Sequence, residues 1–189
     1  MTEDKRYDIL TQSLHWGMAL LIIAAWVIAG IMEDMPRGPE KAQVVGLHKS
    51  LGVTVCVLLL ARIFWRRVKP PLAMPAGTPA WMHSAATAGH LALYALMLAV
   101  PVSGVVMSQA ADRPVLVWGL FALPTLIAPN PELKSAMEEV HEVLGNGILL
   151  LAAAHAVAAL FHQHVLKDGV LTRMLPRMPS PAEKSSRTP

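Results

Sequence analysis

The sequence predicts an all-α protein: a transmembrane four-helix bundle with both termini cytoplasmic. Three observations carry that expectation. Only 15% of the 189 residues are charged, against 54% hydrophobic, whereas an average soluble chain puts about 25% into Asp, Glu, Lys and Arg. The apolar residues gather into charge-free runs of about the 20 residues that cross a bilayer. Lys and Arg concentrate on one side of those runs. A single cysteine excludes a disulfide framework and any cysteine-rich metal site. A pI near 9.2 would suggest nucleic acid in a soluble chain, but in a membrane chain positive charge orients the helices, so no nucleic-acid partner is expected.

Helix 1 is expected over residues 14–32, a charge-free run of 19 residues that is too long and too poorly matched to a cleavage site for a removable signal. Helix 2 covers about 44–65, where His48, Lys49 and Arg62 sit near its ends and can reach toward the interface. Helix 3 is placed at about 82–109, inside a segment, 70–111, that has no Asp, Glu, Lys or Arg. Pro101 should kink it, a cost that neighbouring helices absorb. Helix 4 takes the charge-free run 143–166 and starts earlier, near Leu133. The apolar run 115–131 is not a fifth span. Pro114, Pro124, Pro129 and Pro131 each remove a backbone donor that hydrocarbon cannot replace, so this stretch reads as a loop or short helix lying at the interface. The bundle domain is then 1–178, with 179–189 read as a disordered tail.

Four spans place both ends of the chain on one side. Eleven of the 16 Lys and Arg fall there, and Arg37, Lys41, Lys49, Arg113 and Lys134 fall on the other. The side richer in Lys and Arg is the cytoplasmic one. The opposite face carries an excess of acidic residues.

Eight histidines in so apolar a chain need a reason, because ionisable side chains are costly inside a bilayer. His141 and His155 are separated by about four turns and about 21 Å of rise, so they share one face of helix 4 at two depths. Helix 1 begins on the inside, which puts His15 near the cytoplasm. Helix 2 returns from the outside, which puts His48 near the periplasm. The topology therefore matches His48 with His141 at an outer level and His15 with His155 at an inner level. Imidazole binds haem iron through one ring nitrogen while the other donates to a carbonyl or hydroxyl. Two axial histidines leave no open iron position and suit the metal to one-electron transfer. The expectation is two haems b, held non-covalently because no Cys-x-x-Cys-His is present. Any one of these histidines alone could be a hydrogen-bonded or interfacial residue; the joint match in depth points to haem. Gly46, Gly52, Gly145, Gly147 and the alanines at 152–154 would let a flat macrocycle approach, or serve ordinary close helix packing.

His162 lies two turns beyond His155, and His90 lies at a similar inner depth on helix 3. Both are candidates for supplying protons to a quinone beside the inner haem, and His162, like His83 and His164, could simply be interfacial. His90 is also the rival of His15 as inner ligand. The run Lys167-Asp168-Gly169 should close helix 4, and Cys56 reads as core packing.

Four stretches carry a resemblance to a known family: SLHW at 13–16, GLHKSLG at 46–52, GHLALYALMLAVPVSGVVMS at 89–108, and VHEVLGNGILLLAAAHAVAALFHQHVLKDGVLTRMLPR at 140–177. In order and spacing they resemble the bacterial cytochrome b561 family, di-haem proteins of the inner membrane that exchange electrons with quinone. The resemblance implies axial ligands at His15, His48, His141 and His155. The chain looks most like the type that takes an electron from periplasmic superoxide and passes it to ubiquinone, a superoxide:ubiquinone oxidoreductase. For that substrate Lys49, Arg113 and Lys134 would have to form a local basic patch. Similar cytochromes serve as membrane subunits of hydrogenases and formate dehydrogenases, which is the alternative. A third reading is a His-lined transporter of divalent metal using His162 and His164; it wants intramembrane carboxylates that these spans lack.

Overall fold

The computed structural model describes residues 6–75 and 77–176; the expected disordered tail at 179–189 lies outside them. Four helices are long and apolar enough to cross a membrane. They are α1 (Ile9–Asp34), α2 (Pro39–Val68), α3 (Ala80–Ala110) and α4 (Pro131–Phe161), the last prolonged by a π turn at His162–Leu166. Polar caps extend α1 and α4 beyond their charge-free windows. The Asp8 carboxylate accepts the Thr11 N–H at 3.1 Å, and the Asn130 side chain accepts that of Leu133 at 2.9 Å, each satisfying a first-turn donor. Pro39 and Pro131 sit in first turns, where a missing N–H costs nothing.

The Tyr7 N–H donates to Arg173 O at 2.9 Å and the Trp16 indole to Met174 O at 2.8 Å, so residues near both ends of the chain meet at one end of the bundle. That end is called terminal here and the opposite end distal. Backbones pack α1 on α2, α2 on α3 and α3 on α4, whereas α4 makes no comparable approach to α1 or α2. A small apolar core of Met18, Val55, Leu59, Met97 and Ile148 ties the helices together. Ile148 lies midway between His141 and His155 on α4, so this core separates the two histidine levels.

Helix α3 runs on through Pro101. The proline strips Met97 O of its helical donor, and the Cys56 thiol of α2 lies 4.0 Å from that oxygen. Cys56 thus helps absorb the proline as well as filling space. The segment after α3 forms no fifth span, as expected, and of the two forms open to it, loop or short helix, it takes the loop. Within it β1 (Leu116–Val117) pairs antiparallel with β2 (Phe121–Ala122), and the turn is made by Trp118 and Gly119 at φ 52° and 72°. The hairpin is held against α2. The Ser50 hydroxyl accepts the Trp118 N–H at 2.9 Å, and the Trp118 indole donates to Thr54 Oγ1 at 3.0 Å. Side-chain partners from α2 thus satisfy backbone that a lone loop would leave open.

Candidate functional site

At the distal level, His48 of α2 faces His141 of α4 with ring centroids 6.0 Å apart and planes crossed at 78°. At the terminal level, His15 of α1 faces His155 of α4 at 6.1 Å and 67°. These separations are informative. An imidazole–metal bond of about 2.1 Å on each side, with about 1.1 Å from each bonding nitrogen to its ring centre, sets two coaxial rings about 6.4 Å apart. A direct N–H···N bond of about 2.9 Å would bring them to about 5.1 Å. Both pairs stand near the first value.

The distal rings are held in one tautomer. His48 Nδ1 lies 2.9 Å from Ala25 O, and His141 Nδ1 lies 2.9 Å from Val100 O. Ser103 Oγ is 3.1 Å from the same nitrogen and itself donates to Val100 O at 2.8 Å. A carbonyl can only accept, so each Nδ1 carries the proton and each Nε2 keeps its lone pair for a metal. Gly104 makes room for this ring, because a Cβ there would sit 3.0 Å from His141 Cε1 and 3.2 Å from Nδ1. Gly52 meets Pro101 Cβ at 3.8 Å, which is ordinary packing, whereas a Cβ on Gly46, Gly145 or Gly147 meets nothing within 4 Å. Those three glycines therefore do not serve close helix contact. Donor type, separation and the standoff of α4 from α1 and α2 fit a haem at each level, and at the distal level the tautomer does as well.

His90 also reaches the terminal level, with its ring 5.3 Å from that of His155. His155 therefore has two ring neighbours at this level, His15 and His90. His90 opens onto a cleft at the terminal end lined also by Thr11, Arg62, Trp65, Arg66 and Tyr94. His162 does not line it. Its Nδ1 lies 2.5 Å from Asp168 Oδ2, where the π turn ends with Lys167 in the left-handed region at φ 52° and Gly169 follows at φ 74°. Lys167-Asp168-Gly169 therefore closes the helix as expected, and Asp168 also orients His162. His83 and His164 are exposed.

Of the expected distal basic patch, Lys49 Nζ reaches Pro114 O at 3.1 Å, beside Arg113. Lys134 is instead engaged by Glu138, one turn along α4. The residues that sequence reasoning passed over are Ser103, Gly104, Arg62 and Tyr94. A signal for the first pair was present in Pro101-Val102-Ser103-Gly104, where a proline next to two small residues loosens the helix and lets another ring approach.

The prokaryotic cytochrome b561 family model matches residues 6–177. The chain belongs to that family. It is 31% identical to cytochrome b561 homolog 2 of Escherichia coli K12 over 179 residues, covering 90% of this chain and 92% of the relative. It is 30% identical to a probable superoxide oxidase of Yersinia pestis, covering 92% and 97%, and 35% identical to a cytochrome b562 of Cereibacter sphaeroides, covering 93% and 98%. This protein is thus a multi-pass electron-transfer protein of a bacterial inner membrane, and membership of the family implies haem b. The divalent-metal transporter reading is set aside.

Proposed function

We propose that the protein carries single electrons across the bundle from a periplasmic donor to membrane ubiquinone through two haems b, and that superoxide is the donor. His48 and His141 would hold the distal haem, and His15 and His155 the terminal one. The observation that carries this reading is the pair of histidine couples at two levels, each at the ring separation that one iron bridges. Bound there, the haems would supply one-electron iron chemistry with both axial positions filled.

The remaining roles fall to the chain itself. Ala25 O and Val100 O fix the distal rings and raise the basicity of each Nε2. Lys49 and Arg113 supply positive charge at the distal end that would draw an anion. The bias of Lys and Arg supports cytoplasmic termini, which makes the distal end periplasmic and the cleft cytoplasmic. Ubiquinone reduction consumes protons as well as electrons; His90 in the cleft and His162, oriented by Asp168, are placed to deliver them.

The test mixes oxidised protein with a superoxide source and then with ubiquinone. The haem bands should turn to the reduced form and return on adding ubiquinone. Failure of superoxide to reduce the haem, with rapid reduction by a partner dehydrogenase, would replace this donor with a protein.

A further inference from the structure

The phenol of Tyr94 is hydrogen-bonded in an unusual way. Its oxygen accepts Arg62 Nε at 3.2 Å and Arg66 Nη1 at 3.1 Å, two guanidiniums one turn apart on α2. The Arg66 guanidinium also lies 5.8 Å from the centre of the Tyr94 ring. A phenol oxygen offers one donor and a limited acceptor capacity, and here charged donors use the acceptor side. The O–H remains. Among the described residues no acceptor meets it.

The surroundings narrow what could. The cleft onto which Tyr94 opens contains Arg62, Arg66 and Lys69, has no Asp or Glu among its described lining residues, and has apolar or aromatic walls from Leu14, Trp65 and Met174. Such a site suits a flat or apolar group that presents an electron-rich oxygen. Arg62 Nη1 also reaches Thr11 O at 3.5 Å, and Thr11 is one turn from His15 on α1. The cleft therefore reaches the terminal histidine level.

We propose that Tyr94 is a ligand-positioning residue, held by Arg62 and Arg66 with its hydroxyl turned into the cleft to donate a hydrogen bond to a carbonyl or carboxylate oxygen bound there. A ubiquinone carbonyl and a propionate of the terminal haem share that chemistry. The quinone arm rests on the reading above that ubiquinone is reduced at this end; the propionate arm does not. One neutral hydrogen bond sets the expected size, about threefold to tenfold in affinity.

The experiment compares the full-length haem-loaded protein with Tyr94→Phe, which keeps the ring and removes only the hydroxyl; unchanged haem absorption verifies folding. Infrared difference spectra are recorded with ubiquinone carrying 13C at its carbonyls and, separately, with haem carrying 13C at its propionates. A photoreactive azido-ubiquinone maps where the quinone sits. A carbonyl band that rises in frequency in Tyr94→Phe, with quinone binding about threefold to tenfold weaker, supports the proposal with quinone as acceptor. A propionate band that moves instead supports it with haem as acceptor. If neither band moves, the proposal is overturned, even where azido-ubiquinone labels the cleft and the quinone site stands. Labelling confined to some other part of the bundle ends the terminal quinone reading, and the propionate band alone then decides the role of Tyr94.

Discussion

Gly104→Ala should remove the distal haem and spare the terminal one. The added methyl would lie 3.0 Å from His141 Cε1 and 3.2 Å from Nδ1, whereas unstrained carbon contacts lie at about 3.5–4.0 Å. The ring or the helix must therefore yield by a few tenths of an ångström. Metal–ligand distances hold to about 0.2 Å, so a shift of that size exceeds what an axial bond absorbs. Retreat of α3 gives no escape, because Val100 and Ser103 on the same helix hold His141 Nδ1. Haem per chain, measured by pyridine haemochrome, should fall from about two to about one, with one of two low-spin resonances gone. Gly30→Ala is the control, since a Cβ there meets nothing within 4 Å. A Gly104→Ala protein that keeps both haems with unchanged spectra would refute the placement of His141.

Further outcomes follow from the same geometry. His15→Ala should lose the terminal haem while His90→Ala keeps both, measured as haem content; the opposite result would exchange their roles. In a redox titration the distal haem should have the lower potential, because carbonyls on Nδ1 of His48 and His141 would favour ferric iron. His48→Ala should then erase the lower wave. Burial works against the charged form of Asp8, but hydrogen bonds from Thr11 and Trp65 outweigh it and hold the carboxyl below its ordinary 3.8. Its stabilisation is therefore full above that value and lost as pH falls through the lower folded pKa. Asp8→Ala should cost about 1 kcal/mol, and the melting difference from the parent should shrink as pH falls below 3.8.

The spans were legible because hydrocarbon demands long charge-free runs, and four runs leave few topologies open. The depth of each histidine followed from helix direction alone. That is why His48 and His141, and His15 and His155, could be matched before any coordinates, and why the structure brings each couple face to face. What composition could not reveal was azimuth. Which of His90 and His15 approaches His155, and how closely, depends on the rotation of α1 and α3 about their axes, and the fold brings both rings beside it. The hairpin at β1 and β2 was hidden for a related reason, since its turn relies on Ser50 and Thr54 from a distant helix. Tyr94 sits in an apolar run, and only the fold brings Arg62 and Arg66 onto it.

The measurement closest to the centre of this account is the haem content and spectrum of the purified protein. Two haems per chain are expected, both six-coordinate and low-spin, with one lost in His48→Ala and the other in His155→Ala. A preparation that binds one haem or none when haem is supplied in excess, or two haems of which one is high-spin, would contradict it.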